Sequence, residues 1–201
     1  GGGACWDIIE LKKIKKICDA NNLFFHLDGA RIWNAFVKNK INFKEYGKLF
    51  DTISVCLSKG LGCPVGSILL TSSKNYENAL KIRKILGGGM RQSGFLAACG
   101  IYALDNNIHR LKDDHLRAKE IGDVLIKLDY IKNVEPVETN IVIFEINDKF
   151  SSSFFQNKLS EKGIQIISMG DNKLRVVTHL DYTQKQHEYF IDCLVKINDN
   201  F

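Results

Sequence analysis

The sequence predicts an α/β protein with a larger first part, residues 1–108, built on a mainly parallel sheet, and a small α/β part, residues 109–201. In the first part, short apolar segments alternate with stretches whose apolar residues recur at helical spacing, which is typical of helices packed against a sheet. In the second part the strand-like segments follow one another closely, which favours an antiparallel or mixed sheet.

The first part opens with an amphipathic helix and then alternates strands with helices. The predicted elements are helix 5–20, strand 23–28, helix 29–39, strand 51–58, strand 67–71, helix 73–86 and helix 92–105. Gly87, Gly88 and Gly89 are expected to end the helix over 73–86. That helix is expected to turn its apolar residues inward, and the small-residue helix over 92–105 to be packed on all sides.

The second part begins with a long charged helix that joins the two parts. Its predicted elements are helix 109–128, strands 131–137 and 140–146, helix 152–162, strands 164–168 and 173–178, and helix 183–197. The pattern changes from helix to closely spaced strands near residue 130, which predicts a separate sheet for this part.

The composition is that of an ordinary globular chain, with 45% apolar residues and a net charge of +5. The lysines are spread along predicted helices and form no basic stripe interleaved with aromatic residues, which argues against a nucleic-acid-binding protein. The sequence shows neither a signal peptide nor an apolar run of membrane-spanning length, which argues against a membrane protein.

Six cysteines occur without a CxxC pair or metal-ligand spacing, so the sequence predicts no metal site. Most of them lie among apolar residues, where a free thiol packs like a small apolar side chain. Cys56 and Cys63, on either side of Lys59, are interpreted as packing residues. This cysteine usage predicts a reducing compartment and therefore a cytoplasmic protein.

Lys59 closes the apolar strand predicted over 51–58 and begins a glycine-rich turn. An ammonium group at the end of a buried strand is costly unless the amine loses its proton or forms a bond. A buried lysine with a lowered pKa is a nucleophile toward carbonyl groups, as Schiff-base enzymes require. Gly60, Gly62 and Gly66 would let a flat ring approach the backbone. The alternative is a solvated lysine at the mouth of a glycine-rich turn.

The strand predicted over 23–28 also ends in a polar residue next to glycine, and that residue is Asp28. Ligands of open α/β sheets bind at the carboxyl ends of the strands, where Asp28 and Lys59 are expected to lie. A lysine and a carboxylate at neighbouring strand ends suit pyridoxal phosphate, since the lysine bonds to its aldehyde and the carboxylate keeps the ring nitrogen protonated. The alternative for Asp28 is an N-cap of the helix that follows.

Three arginines are candidates for anion binding, and each has a structural alternative. Arg31 either binds a carboxylate or lies on a helix surface. Arg91 suits phosphate, a partner subunit or a helix-to-helix hinge. Arg175 is either an edge-strand charge or a bidentate partner for a substrate carboxylate. His26 and His179 flank strands and are more typical of boundary histidines than of catalytic bases.

Four segments together resemble the low-specificity L-threonine aldolases: HLDGARIWNA (26–35), SVCLSKGLGCPVGS (54–67), GGGMRQSGFLAACGIYAL (87–104) and LRVVTHLD (174–181). They occur in the family's order and with comparable spacing, and the resemblance covers essentially the whole chain. These aldolases are pyridoxal-phosphate enzymes of the aspartate-aminotransferase fold. The resemblance therefore implies that residues 1–108 are part of a fold-type-I cofactor-binding large domain and that residues 109–201 are its small C-terminal domain.

By this resemblance, Lys59 would form the Schiff base with pyridoxal 5′-phosphate and Asp28 would pair with the pyridine nitrogen. Arg31 would contact the cofactor and, together with Arg175, the substrate carboxylate, whereas Arg91 would reach the cofactor phosphate. The resemblance also implies a dimer of dimers with sites built between subunits. Family members carry roughly half as much chain again upstream, including a phosphate-binding turn and a ring-stacking histidine, so we expect these 201 residues alone not to form a complete holoenzyme.

The sequence thus predicts a lyase that cleaves L-threonine or L-allo-threonine to glycine and acetaldehyde. One alternative is another pyridoxal-phosphate lyase of the same fold, either β-eliminating or phenylserine-cleaving. A second alternative is a catalytically silent C-terminal fragment. A nucleic-acid binder has little support, because the positive charge is small and dispersed.

Overall fold

The computed structural model describes residues 2–198 and divides them into two compact units. One unit comprises residues 6–110, and the other comprises residues 111–198 together with residues 2–5. The first residues join the second unit through hydrogen bonds: the Cys5 N–H donates to Glu138 Oε2 over 3.1 Å, and the Thr139 hydroxyl donates to the Gly3 carbonyl over 2.7 Å.

The first unit alternates helices and strands along the chain. Its elements are α1 (Ile8–Ala20), β1 (His26–Gly29), α2 (Ile32–Asn39), α3 (Phe43–Gly47), β2 (Thr52–Cys56), β3 (Ser67–Thr71), α4 (Ser73–Ile85) and α5 (Gly94–Asn106). No sequence pattern predicts α3, because its five residues are too few to show a helical period. The Asn42 side chain caps it by accepting the N–H groups of Lys44 and Glu45.

The sheet of the first unit has the order β1-β2-β3. β1 runs parallel to β2, with Asp28 opposite Ser54 and Gly29 opposite Val55. β3 runs antiparallel to β2. Since the carboxyl ends of parallel neighbours meet at one edge of a sheet, this pairing determines where the residues after β1 and β2 lie.

The core of the first unit lies on one face of β2, where Ile53 and Val55 are buried. Helices α1, α2 and α3 cover this face with Leu11, Ile32, Phe36 and Tyr46. Each buried aliphatic or aromatic side chain of this kind stabilises the fold by about 1.5–3 kcal/mol. These contacts hold β1 and β2 together and so fix the edge at which the two strands end.

Two packing expectations for the first unit are wrong in this structure. Helix α4 has no buried residue, and Ile85 and Leu86 at its end are 71% and 79% exposed. Helix α5 buries only Gly100 and Ala103, and its Phe95 is 85% exposed. Large apolar side chains of both helices are thus exposed, whereas the spacing of their apolar residues predicts a covering layer.

The second unit is a four-stranded antiparallel sheet with helices against it. Its elements are α6 (Leu111–Leu125), β4 (Ile131–Val134), β5 (Ile141–Ile146), α7 (Ser152–Glu161), β6 (Ile167–Gly170), β7 (Lys173–Val177) and α8 (Gln184–Asn198), with the strand order β4-β5-β7-β6. The core contains Leu125, Phe144, Phe155, Leu174 and Leu194, all at most 1% exposed.

Strand β6 begins later than the sequence predicts, at Ile167 instead of residue 164. A two-residue turn joins β6 to β7, and both of its residues, Asp171 and Asn172, have positive φ (47° and 57°). Two successive positive φ values are typical of the type I′ turn, whose twist matches that of a hairpin. The residues 2–198 contain no helix that is both long and apolar enough to cross a membrane.

Candidate active site

Asp28 lies at the end of β1, and Lys59 lies three residues after the end of β2. Because β1 and β2 run parallel, both residues belong to the same edge of the sheet. Gly29 is the last residue of β1 and lies opposite Val55, four positions before Lys59. The Asp28 side chain is exposed, and its Oδ1 accepts the Ala30 N–H over 3.1 Å. Helix α2 begins at Ile32 with Arg31 as its N-cap, so Asp28 is not the N-cap that the sequence left as an alternative.

The turn that carries Lys59 is closed by hydrogen bonds within the main chain. The Gly62 N–H donates to the Lys59 carbonyl over 2.9 Å, and the Leu57 N–H donates to the Gly66 carbonyl over 3.0 Å. Gly62 and Gly66 have φ values of +76° and +135°, which side-chain-bearing residues rarely adopt. The glycines therefore serve the backbone path of this turn.

Two side chains from the C-terminal end of α5 and the residues after it also hold this turn. Asn107 Nδ2 donates to the Leu61 carbonyl over 2.7 Å, and Arg110 Nη1 donates to the Gly60 carbonyl over 3.3 Å. Leu61 is only 1% exposed. The sequence analysis missed both residues, because they lie 46 and 50 positions from their partners and no local spacing reveals the contact.

Lys59 itself is exposed, so the expectation that its amine is buried is wrong in this structure. Its neighbours Leu57, Gly60, Leu61 and Cys63 are buried, while the Lys59 side chain points outward. Its Nζ donates a hydrogen bond to Cys56 Sγ over 3.1 Å. Cys56 is half-buried at the end of β2, on the strand face that also carries Ser54.

Arg31 and Arg91 belong to the same unit as Lys59. Arg31 is half-buried and lies three residues after Asp28, directly before α2. Arg91 is exposed in the segment between α4 and α5. Before it, Gly87 adopts φ +77°, and the N–H groups of Gly87 and Gly88 donate to the carbonyls of Lys84 and Arg83, a Schellman C-cap that ends α4 as the glycines predict.

Arg175 belongs to the second unit, in the middle of β7, where it pairs with Ile143 of β5 and Ile167 of β6. It is therefore on an inner strand and not, as one alternative had it, on an edge strand. Its Nε is buried and, among residues 2–198, has no hydrogen-bond partner. Arg175 lines a cavity of about 490 Å³ together with His179 and Tyr182. A buried guanidinium N–H without a partner is costly, and an anion in this cavity would satisfy it.

The histidines differ in their surroundings. His26 is exposed, and its Nδ1 lies 2.8 Å from Thr52 Oγ1. His179 is also exposed, and its Nδ1 accepts the Asp181 N–H. His187, which no sequence pattern singles out, is 3% exposed and joins an exposed carboxylate to a partly buried hydroxyl: its Nε2 lies 2.7 Å from Glu120 Oε2, and its Nδ1 lies 3.2 Å from the Tyr182 hydroxyl.

Tyr182 joins these contacts to the loop after β7. Burial raises the pKa of its hydroxyl, and the nearby Arg117 charge acts in the opposite direction. Arg117 Nη1 donates to the Tyr182 carbonyl over 2.7 Å. The Thr178 hydroxyl at the start of the loop donates to the Asp114 carbonyl over 2.7 Å. Helix α6 thus holds the loop that borders the Arg175 cavity.

The fold is that of known solved structures. The chain superposes on threonine aldolase from Leishmania major with a TM-score of 0.74, 18% identity and 94% of this chain against 56% of that chain. It also matches histidinol-phosphate aminotransferase from Clostridium acetobutylicum with a TM-score of 0.73 and 18% identity. This match covers 100% of this chain and 61% of that chain. These neighbours have the fold-type-I architecture of pyridoxal-phosphate enzymes, which confirms the predicted fold class.

The family follows from the sequence comparisons. Residues 1–149 match the family model described as beta-eliminating lyase, and the chain belongs to this family. It is 38% identical over 176 residues to the low specificity L-threonine aldolase of Escherichia coli (strain K12), covering 88% of this chain and 51% of that protein. It is 35% identical over 195 residues to low-specificity L-threonine aldolase 1 of Arabidopsis thaliana, covering 96% of this chain and 54% of that protein. The resemblance to these aldolases is confirmed, and the chain spans about half the length of these relatives.

Members of this family depend on pyridoxal phosphate. The donor set at the β1–β2 edge suits that cofactor, because it combines the primary amine of Lys59 with the carboxylate of Asp28. The residues 2–198 contain no cluster of three or more histidine, cysteine, aspartate or glutamate side chains able to hold a metal ion.

Proposed function

We propose that this chain forms the Lys59-bearing part of a pyridoxal-phosphate-dependent aldolase that cleaves L-threonine or L-allo-threonine to glycine and acetaldehyde. The main support is the placement of Lys59 and Asp28 at the shared end of two adjacent parallel strands. The 35–38% identity to low-specificity L-threonine aldolases supports β-hydroxy amino acids as the proposed substrates. Since the chain spans about half the length of these relatives, the proposal concerns the family-length enzyme.

In this proposal the residues of the first unit hold the cofactor. When bound, pyridoxal phosphate supplies an electron sink for the pair of electrons left on the amino-acid carbon. Lys59 would hold the cofactor through a bond between its Nζ and the cofactor aldehyde. Asp28 holds a proton on the ring nitrogen through its carboxylate. Arg31 contacts the cofactor, and Arg91, which is exposed and free of helix packing, reaches its phosphate.

In the same proposal Arg175 binds the substrate carboxylate, and Arg31 assists it. The unpaired buried Nε of Arg175 supports this role, because a carboxylate would give it the acceptor that residues 2–198 do not supply. A fixed carboxylate orients the bond between Cα and Cβ, and proton removal from the β-hydroxyl by a base then breaks that bond. We further propose a cytoplasmic enzyme that assembles as a dimer of dimers.

The Lys59→Ala variant of the family-length enzyme tests the central assignment. Its purified protein should lack the near-visible absorbance band that wild type shows with pyridoxal phosphate and loses on borohydride reduction. Lys59→Arg is the charge-preserving control and should lack the band as well, because a guanidinium does not bond to the aldehyde. A Lys59→Ala variant that kept the band would show that another amine holds the cofactor.

A second candidate activity is β-elimination, favoured by the description of the matching family model. Product analysis separates the two: the aldolase releases glycine and acetaldehyde from threonine, whereas a β-eliminating enzyme releases pyruvate from cysteine. A colourless protein that gains no borohydride-sensitive band with added pyridoxal phosphate would instead be a silent fragment.

A further inference from the structure

The contact between Lys59 and Cys56 joins an amine of the glycine turn to a thiol at the end of β2. Lys59 Nζ lies 3.1 Å from Cys56 Sγ, close to van der Waals distance for nitrogen and sulfur. Cys56 is half-buried and Lys59 is exposed, so small solutes can reach the pair from the Lys59 side. We propose that Cys56 and Lys59 are an oxidative modification site, at which a hydroperoxide converts the contact into a covalent sulfur–nitrogen bond.

The local backbone keeps the two side chains together. Cys56 ends β2, where the strand is paired with β3 through Ser67. Lys59 belongs to the turn held by the Gly62 N–H, by Asn107 and by Arg110. Since both backbones are fixed, the amine remains at a high effective concentration next to the sulfur.

The neighbouring thiol Cys63 is a weaker candidate for the same chemistry. Its side chain is only 6% exposed, and its Sγ contacts the Cys99 carbonyl at 3.6 Å. Burial raises the pKa of the Cys63 thiol, and the Cys99 charge raises it further. Because the thiolate is the form that peroxides attack, the raised pKa and the burial of Cys63 both disfavour its oxidation.

The reaction has two balanced steps. A hydroperoxide transfers one oxygen to the Cys56 thiolate, giving a sulfenic acid and releasing the reduced peroxide as water or an alcohol. The Lys59 amine then attacks the sulfur, the sulfur–nitrogen bond forms, the sulfur–oxygen bond breaks, and one water leaves with a proton of the amine. Two equivalents of a reducing thiol reverse it: the first forms a mixed disulfide with Cys56 and frees the amine, and the second releases the Cys56 thiol.

While the sulfur–nitrogen bond is present, the Lys59 amine could not bond to the cofactor aldehyde. Reduction of the sulfur–nitrogen bond would free the amine again. This consequence depends on the proposed role of Lys59 as the residue that holds pyridoxal phosphate. The sulfur–nitrogen bond itself depends only on the 3.1 Å contact. The experiment below measures the two separately.

The test uses hydrogen peroxide on the full chain, followed by trypsin without a reductant and mass spectrometry. Trypsin cleaves unmodified protein after Lys59 and yields peptides 49–59 and 60–74. A Lys59 amine bound to sulfur blocks that cleavage, so we expect a joined peptide 49–74 that is about 2 Da lighter than the uncleaved reduced peptide. Dithiothreitol should restore cleavage at Lys59.

Two matched variants identify the sulfur. The joined peptide should disappear in Cys56→Ser and remain in Cys63→Ser, which excludes a disulfide between the two cysteines. Oxidation of Cys56 with normal cleavage at Lys59 would overturn the proposal, and so would a light joined peptide that persists in Cys56→Ser.

The consequence for cofactor binding is measured by adding pyridoxal phosphate and borohydride to the family-length enzyme after peroxide. The label on Lys59 should fall in proportion to the cross-linked fraction in wild type and stay unchanged in Cys56→Ser. A label on Lys59 that does not fall as the cross-link forms would overturn the consequence. Absence of the label from Lys59 in untreated enzyme would contradict the proposed function and leave the sulfur–nitrogen bond to stand on the mass data.

Discussion

The side-chain amide of Asn107 donates a 2.7 Å hydrogen bond to the main-chain oxygen of Leu61, two residues beyond Lys59. Asn107 follows helix α5 directly, so the helix end and the glycine turn are fixed to each other. The carbonyl of buried Leu61 therefore receives its hydrogen bond from a donor that lies 46 positions further along the chain. Such a bond restrains the backbone that carries the lysine.

Asn107→Ala should destabilise the first unit by about 1–3 kcal/mol, because it leaves the Leu61 carbonyl without its donor. Urea unfolding followed by circular dichroism measures the change. Asn106→Ala is the matched control, since Asn106 is exposed and its amide bonds to the Tyr102 carbonyl of its own helix. Equal losses in the two variants would contradict a special role for the Leu61 contact.

Gly29→Ala should destabilise the first unit by about 1–3 kcal/mol, because the added methyl group would lie 2.5 Å from the Ser54 carbonyl on the neighbouring strand. The strands β1 and β2 would have to separate next to Asp28. Gly47→Ala is the control, because a methyl group there meets no atom within 4 Å. Unfolding midpoints of the two variants in denaturant should differ clearly, and a Gly29→Ala midpoint equal to wild type would contradict the close approach.

Tyr130 should make the second unit lose stability at alkaline pH. Its hydroxyl donates to the Leu194 carbonyl over 3.0 Å, and burial raises its pKa above the ordinary value of 10.0. A raised pKa in the folded state means that its contribution is complete below about pH 10, the unfolded value, and is lost as the pH rises above it. Unfolding free energies measured between about pH 8 and pH 11 should show no loss from Tyr130 up to about pH 10 and a fall with pH above it.

Tyr130→Phe is the variant that checks this assignment. It should be less stable than wild type at neutral pH through loss of the hydrogen bond, by about 1 kcal/mol, but its stability should fall less steeply above pH 10. An identical alkaline slope in the variant would assign the pH dependence to other groups.

Arg175→Gln in the family-length enzyme should raise KM for threonine by about 10- to 100-fold, the effect of losing a charge-assisted bond to a carboxylate. The band of bound cofactor should be unchanged, because Arg175 is proposed to bind substrate only. Arg175→Lys should recover only part of the loss, since a lysine cannot make the bidentate contact. A KM equal to that of wild type in Arg175→Gln would exclude carboxylate binding by this residue.

The sequence predicts much of this fold because its apolar periods are local. The alternation of Ile53 and Val55 predicts strand β2, and the segment SILLT predicts strand β3. The glycines after Leu86 predict the end of helix α4. Asp28 and Lys59 could be proposed as site residues because each ends a strand next to glycine. Their assigned roles remain predictions.

What the sequence could not supply is tertiary. The amides and guanidinium groups that hold the glycine turn come from residues far along the chain, and no period marks them. His187 looks like any polar residue of a surface helix, yet it is buried between Glu120 and Tyr182. For α4 and α5 the sequence predicts burial and the apolar side chains are exposed. A helical period shows which side of a helix is apolar, but not whether another part of the chain covers that side.

The parallel pairing of β1 with β2 also bears on the order of folding. The paired residues Asp28 and Ser54 are 26 positions apart in the sequence. Strands β2 and β3 are joined by a shorter connection. Local hairpins close faster than distant parallel pairs, because less chain entropy is lost. We therefore expect the lysine turn to take shape early during synthesis and refolding, and the aspartate strand to dock beside it as a later step.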